Sequence, residues 1–347
     1  MTRFSCGWRR AVRTLPATLA NRAYEPLSAT LAAVLKVAAV VVAYNRCDLL
    51  REALTAIVSQ SRRLDSVYVI DNASTDQTSQ MVMEEYPEIQ LRTMPVNTGG
   101  AGGFAAGLAH AITDGADLVW LMDDDTVPSP TALEELVSAH DRYPGSPPAA
   151  VASRVLWVDG RDHPMNTPRV RPGVSSDDRA AASVAGCLPV RSASFVSLLV
   201  QSDAVREVGL PEADFFLWND DFEFSTRLLR RRVGLYCPAS VVEHRTKSFG
   251  STDSDPGDRF YFEVRNKVWT FTRSAGLAPQ EKALYGASTV RRWAKTFRRS
   301  TDRSTLLSGL GRGLVDGLRR GPRPVDAVME ASGVRLPRLG RRVGEAP

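Results

Sequence analysis

The sequence predicts an α/β fold, a Rossmann-like, mostly parallel, doubly wound sheet followed by a helical and basic C-terminal extension. Three observations carry that prediction. Apolar runs of strand length alternate with helix-compatible segments between residues 37 and 122. Each run stops abruptly on a cluster of polar or glycine residues. Basic residues crowd the chain beyond Arg291 instead of spreading along it. Strands and helices alternating in this way favour right-handed crossovers and a parallel sheet.

The first strand is read at residues 37–43 and closes on Tyr44-Asn45-Arg46. Asp48 is the expected N-cap of a helix over 49–59, because an aspartate there can accept from the free amides of the first turn. The second strand, 66–70, ends in Asp71-Asn72-Ala73-Ser74-Thr75-Asp76, with a helix to about 85. The third, 89–95, leads into Asn97-Thr98-Gly99-Gly100-Ala101-Gly102-Gly103, with a helix over 104–113. The fourth, 118–122, is continuously apolar and stops on Asp123-Asp124-Asp125; such a run suits a strand covered on both faces. A helix near 130–141 and a strand near 149–155 follow. The Pro-, Gly- and charge-rich stretch 159–182 reads as a long flexible or substrate-covering loop. Strand character returns at 194–201, and 215–232 begins aromatic and acidic before turning into a basic helix with Gly234 as its C-cap. A strand over 236–242 leads to Glu243-His244-Arg245, and the chain past 260 reads as helical. The expected division is a poorly ordered extension over 1–36, the α/β domain over 37–273, and a helical basic region over 274–347 with a disordered end.

A chain of 347 residues, 43% hydrophobic and 24% charged, is an ordinary globular protein able to bury a full core. Its net charge of +5 is concentrated in the tail. The bland reading is a solvated helix face; the sharper one is attraction to an anionic membrane surface or to a pyrophosphate-bearing substrate. No aromatic-interleaved basic motif supports a nucleic-acid partner. The four cysteines include no CxxC pair, which argues against a zinc site or disulfide framework and fits a reducing cytosol. The longest apolar stretch, 37–43, is too short to span a bilayer. The first 35 or so residues resemble a presequence in their Arg and Ala content but lack a secretory apolar core. The expected place is the cytoplasm, peripheral at the inner face of the cell membrane; oligomeric state has no signature here.

Three consecutive carboxylates repel one another strongly unless a cation sits among them. Oxygen-rich sites of this kind suit Mg2+ or Mn2+; the plain alternative is a solvated acidic turn before Pro128. In open parallel sheets ligands bind beyond the carboxyl ends of the strands, and the four polar clusters all sit there. The run Gly100 to Ala105 also fits a GxGxxA dinucleotide fingerprint, with Asp123 about twenty residues on. It occupies the third βα unit rather than the first, and Asp123 is one of three acids where a ribose needs one. An NAD(P)-binding oxidoreductase is therefore the alternative from another class. The glycines still imply close backbone approach, to a diphosphate or a sugar.

Together, Val41 to Arg46, Val69 to Asp76, Asn97 to Gly103 and Asp123 to Asp125 resemble the family 2 glycosyltransferases of the GT-A fold, over about residues 37–273. Within that family the segments 97–104 and 218–224 look most like galactofuranosyltransferases that build cell-wall galactan; rhamnosyltransferases share much of the pattern. The resemblance implies that Ala43, Tyr44, Asn45 and Arg46 border the nucleotide and that Asp71 contacts the uracil or ribose. Asn97, Gly99 and Gly100 would approach the donor sugar and phosphates. Asp123 and Asp125 match the DxD metal pair, with Asp124 near the ribose or sugar, and His244 matches the histidine that completes the metal site. Asp221 matches the family's base, with Asp220 as its rival and Trp218 beside it on the acceptor side; the bland reading of Asp221 is an acid that stabilises a helix dipole. Asn219 departs from the pattern, since related enzymes often carry an acid there. A single displacement needs one base and no nucleophile, which fits inversion. The implied activity is inverting and dependent on Mn2+ or Mg2+, moving galactofuranose from UDP-galactofuranose to a lipid-linked cell-wall glycan. Transfer of rhamnose from dTDP-rhamnose is the nearer alternative, and a catalytically silent sugar-binding protein the more distant one.

Overall fold

Seven consecutive buried apolar residues make β1 (Val37–Ala43) the spine of the sheet. The computed structural model describes residues 35–246, 249 and 255–340. Expectations for residues 1–34 and 341–347 lie outside the described residues.

After β1 come α1 (Cys47–Val58), β2 (Ser66–Asp71), α2 (Thr78–Glu85), β3 (Gln90–Thr93), α3 (Gly99–Thr113) and β4 (Leu118–Asp123). A short β5 (Thr126–Pro128) precedes α4 (Ala132–Arg142) and β6 (Ala150–Leu156). Then follow β7 (Arg169–Val170), α5 (Ser176–Val184), β8 (Leu188–Ser192), β9 (Leu198–Gln201) and α6 (Ser202–Val208). The chain continues with α7 (Asp220–Leu228), β10 (Gly234–His244), α8 (Phe260–Thr272), α9 (Pro279–Arg299), α10 (Arg303–Arg319) and α11 (Val325–Ala331).

The strand order is β3-β2-β1-β4-β9-β6-β10-β8-β7, with β5 paired to β10. The first four run parallel. β9 is inserted antiparallel between β4 and β6, and β10 runs parallel to β6. The sheet is thus mostly parallel, as expected. Alternate residues of β1 feed opposite layers. Val37, Ala39 and Val41 pack with Leu50 and Leu54 of α1 and Leu136 of α4. Ala38, Val40 and Val42 pack with Phe104 and Leu108 of α3 and Phe224 of α7.

Several local expectations are corrected. The N-cap of α1 is Arg46; Asp48 lies inside the first turn, 2.9 Å from the Arg51 guanidinium. The glycine run is not a loop before a helix: α3 starts at Gly99. Tight packing explains this. A Cβ on Gly103 would come within 2.5 Å of the Val42 side chain, and one on Gly107 within 2.2 Å of Val40. Helix-to-sheet contact therefore outweighs the roughly 1 kcal/mol of intrinsic helix propensity each glycine forfeits. Residues 159–182 are not an unstructured loop, since they hold β7 and most of α5. The helix expected over 215–232 is only α7, and Gly234 opens β10 instead of capping a helix.

The tail packs inward. Phe260 and Val264 of α8 and Leu306 of α10 form a buried cluster flanked by Trp293 and Phe297 of α9. Met329 of α11 is fully buried in the layer that covers α3. Among the described residues no helix is long and apolar enough to cross a membrane.

Candidate active site

The exit of β4 sets three carboxylates beside the exit of β10. Asp123, Asp125 and His244 offer ligand atoms that all lie within 4.8 Å of one another. His244 Nε2 stands 3.0 Å from Asp125 Oδ1, yet that buried oxygen accepts no well-formed hydrogen bond. Two ligand atoms on a hard cation at about 2.1 Å with octahedral angles are separated by about this distance. On the other side of the ring, His244 Nδ1 is 2.9 Å from Asn166 Oδ1. Assigning the proton to Nδ1 turns the Nε2 lone pair toward the carboxylates, an outer contact typical of metal-ligating histidines. The oxygen left without a donor and the oriented imidazole fit a divalent ion.

The charges are consistent with such a site. Burial pushes the Asp123 carboxyl up to about 7, with the Asp125 charge adding to the effect. Burial also lifts Asp124 to about 6, against the pull of Arg46. Asp125 goes the other way: burial opposes ionisation, but in the absence of an ion the protonated His244 ring, itself favoured against burial by Asp125, and Arg46 hold it below the usual carboxylate range. Arg46 Nη1 donates to Asp124 Oδ1 at 3.1 Å and to Asp125 Oδ2, and the Tyr44 amide donates to Asp124 Oδ2 at 3.0 Å.

The exits of β1 and β2 are tied together by their own side chains. Asn45, at φ +52°, accepts from the Thr75 amide at 2.7 Å and donates its own amide to Ser74 Oγ at 2.9 Å. Asp71 is fully buried; it accepts from the Ser74 amide at 2.9 Å and from Ser79 Oγ. Its carboxylate shapes the turn, while Tyr44 and Asn45 are exposed.

Opposite the carboxylates stands a backbone segment in unusual conformation. Phe216, Trp218 and Asn219 have φ of +61°, +67° and +64°, where side chains are disfavoured. α8 holds them there. Asn266 Nδ2 donates to the carbonyls of Phe215, Leu217 and Trp218 at 2.9, 2.9 and 2.8 Å. Arg265 adds bonds to the carbonyls of Asp214 and Phe215 at 2.7 and 3.0 Å. From the other side Gly99, at φ +70°, approaches so closely that a Cβ would lie 2.0 Å from the Phe216 carbonyl oxygen. The segment delivers Asp220 and Asp221 into the first turn of α7. Burial raises both carboxyls; for Asp220 the next cause is repulsion from Asp221, whereas Lys267 and Arg169 counter the rise at Asp221.

Asp123, His244, Trp218, Asp220, Asp221 and Gly100 all line one cavity of about 700 Å³. Asp124 and Asp125 are buried behind it. Ala43, Tyr44, Asn45, Arg46, Asp71, Asn97 and Gly99 do not line it; the Asn97 side chain accepts from the Gly99 amide at 2.7 Å, and Asn97 borders a separate hollow of about 300 Å³ near Arg265 and Arg323. Sequence reasoning missed Asn166, Arg169, Glu263, Lys267 and Arg292. Asn166 and Arg169 sit in the stretch read as a loop. Lys267 had a signal, because it falls at helical spacing among the apolar Phe260, Val264 and Phe271.

A model of glycosyl transferase family 2 matches residues 38–178. The chain is 30% identical over 253 residues to the galactofuranosyltransferase GlfT1 of Mycobacterium tuberculosis, covering 68% of this chain and 82% of that one. It belongs to glycosyl transferase family 2. The GlfT1 of Mycolicibacterium smegmatis is 35% identical over 201 residues, 56% of this chain; the match spans 65% of that relative's length. The crystal structure of Staphylococcus aureus TarS 1-349 in complex with UDP-GlcNAc superposes with a TM-score of 0.57 at 17% identity, covering 85% of this chain and 84% of that one. That likeness shows the GT-A fold. This family 2 protein is accordingly an enzyme, a glycosyltransferase, and the oxidoreductase alternative falls away with the glycine run, which is taken up by packing in α3.

Proposed function

We propose that the chain is an inverting, metal-dependent galactofuranosyltransferase that moves galactofuranose from UDP-galactofuranose to a lipid-linked cell-wall glycan. One observation carries the reading: the Asp123–Asp125–His244 cluster and the Asp220–Asp221 pair meet at a single cavity. The relatives' names support the sugar, and the UDP-GlcNAc bound by TarS supports a UDP-linked donor.

Transfer requires an acceptor hydroxyl to attack the anomeric carbon as the nucleotide diphosphate departs. A Mn2+ or Mg2+ held by Asp123, Asp125 and His244 would supply Lewis-acid stabilisation of the developing diphosphate charge. Asp221 takes the hydroxyl proton: of the two adjacent acids it has cations nearby, Lys267 and Arg169, that favour the carboxylate needed in a base. Asp220 and Trp218 border the acceptor. Ala43, Tyr44, Asn45, Arg46 and Asp71 form the nucleotide end, with Asp124 organised by Arg46 at the junction. Gly99 and Gly100 bring backbone to the sugar end, with Asn97 fixing the Gly99 amide. No second carboxylate is required on the opposite face of the sugar, which fits inversion.

Donor hydrolysis and transfer across UDP-galactofuranose, other UDP-sugars and dTDP-rhamnose test the assignment. UDP-galactofuranose is the expected best donor, and faster turnover of dTDP-rhamnose overturns it. The proposed location is the inner membrane face, reached through α9 and α10, which expose Leu284, Val290, Leu307 and Leu318 beside Arg291 and Arg298. Arg291→Glu with Arg298→Glu should abolish co-sedimentation with anionic vesicles; undiminished sedimentation refutes that location.

A further inference from the structure

Among the described residues Lys267 is a buried cation without a direct anionic partner. Its side chain is 5% exposed and it lines the cavity. Among the described residues it forms no hydrogen bond and no ion pair; its ammonium rests 4.2 Å from the centre of the Phe222 ring. The carboxylate best placed to neutralise it is already committed: Glu263 takes the Arg292 guanidinium and the Trp293 indole (3.2 Å) on one oxygen and Asn219 Nδ2 (2.7 Å) on the other. The Arg169 guanidinium lies over the same Phe222 ring, 5.3 Å from its centre, and 5.4 Å from that of Tyr285, again with no carboxylate partner. A cation buried without an acceptor is strongly disfavoured. Asp221 faces both cations but, among the described residues, forms an ion pair with neither, and a single carboxylate leaves two cations on one ring with uncompensated positive charge.

We propose that Lys267 and Arg169 form an anion subsite that receives a phosphate or diphosphate group carried by the acceptor. The assignment rests on the reading that this cavity takes a glycosyl acceptor. Arg292 also lines the cavity and is paired with Glu263. Because Phe222 follows Asp221 in the chain, the anchored anion would fix the acceptor next to the proposed base. Burial lowers the Lys267 ammonium to about 8, with Glu263 and Asp221 opposing the fall and Arg292 and Arg169 adding to it. It is therefore charged at neutral pH, and anion binding should weaken as the pH rises through 8.

Titration of the full chain with octyl diphosphate in EDTA, so that no metal recruits the ligand, tests the subsite directly. Octyl β-galactoside serves as the neutral control, and UDP with Mn2+ reports the donor end. Octyl diphosphate should bind at least about 10-fold more weakly to Lys267→Met and to Arg169→Ala, the loss expected for one charge-assisted contact. Lys267→Arg should recover most of the affinity, and UDP affinity should change by less than about 2-fold. Wild-type affinity no better for octyl diphosphate than for octyl β-galactoside overturns the proposal. So does a parallel loss of UDP affinity, which would assign the cations to the donor diphosphate. Arg169 is exposed, so its variant remains informative should Lys267→Met fail to fold. The outcome is independent of turnover: diphosphate binding that requires Lys267 in a protein that transfers no sugar would sink the proposed activity and leave the subsite standing.

Discussion

The proposed site has two walls, and they are built by different means. The proposed donor wall is the row of loops at the ends of β1 to β4, of which Gly100 and Asp123 line the cavity; hydrogen bonds such as Asn45 with Thr75 and Asp71 with Ser74 hold these loops. The proposed acceptor wall is assembled from distant pieces: Asn166 and Arg169, the run Leu217 to Asn219, and Glu263, Lys267 and Arg292 from α8 and α9. The first wall is a property of a repeated βα unit. The second exists only after the chain has folded over itself, and Asn266 and Arg265 must hold its backbone in place. In the proposed reading the donor end is thus built from the parallel βα units and the acceptor end from segments that follow them.

The largest effect should come from the donor wall. Asp125→Ala removes the buried carboxylate shared by His244 and Arg46. Loss of an outer partner typically costs up to about 100-fold in metal affinity, and loss of a ligand should exceed that. Isothermal titration with Mn2+ reads it directly, and donor hydrolysis should vanish with it. Unchanged Mn2+ binding would remove the metal from this wall altogether. Next comes Asp221→Asn on the acceptor wall. Turnover should fall by about 10²–10⁴-fold, as for loss of a general base, with UDP affinity intact. If Asp220→Asn has the larger effect on turnover, the two acids exchange roles.

The same contrast explains what could be read from the sequence. The strands of the parallel half and the four polar clusters at their ends were legible because each is a local pattern: a buried run, then a stop. The acidic run 123–125 was legible for the same reason, the family resemblance singled out Asp123, Asp125 and His244, and the structure brings those three together. Details failed where packing overrode propensity. Glycines at 103 and 107 are helical because Val42 and Val40 leave no room for a Cβ. β7 and β8 went unseen because a two-residue strand and a five-residue strand containing Pro189 carry almost no periodicity. Asn166 and Arg169 disappeared with them, and no local signal marks Phe216, Trp218 and Asn219 for positive φ.

Lys267→Met sharpens the comparison through stability. The folded-state value of about 8 lies below the ordinary 10.5, so the unfolded chain binds the extra proton between those limits. Folding is therefore penalised fully below pH 8, and the penalty fades as the pH rises toward 10.5. The difference corresponds to roughly 3 kcal/mol. The variant should be more resistant to urea than the wild type at pH 7, with the advantage shrinking by pH 10. Arg292, Arg169, Glu263 and Asp221 are the charges facing this group, and none of them changes in the variant. A variant less stable at pH 7 would mean that Lys267 is a structural cation rather than one kept at a cost for ligand binding.

The smallest predicted effect joins the two walls. Asn166 belongs to the stretch that carried no recognisable pattern, yet its side chain bridges His244 Nδ1 at 2.9 Å and Ser194 Oγ at 3.2 Å. Asn166→Ala leaves the three ligand side chains in place and removes only what turns the imidazole. Mn2+ affinity should drop by about 10–100-fold, and the drop should disappear in a His244→Ala background, because an unneeded orienter has nothing left to orient. Additive losses would instead mean that Asn166 supports the wall through Ser194 and not the metal through His244. The first outcome would make the proposed acceptor wall part of the donor machinery: a residue beyond the parallel βα units would then set how tightly the exits of β4 and β10 hold their ion.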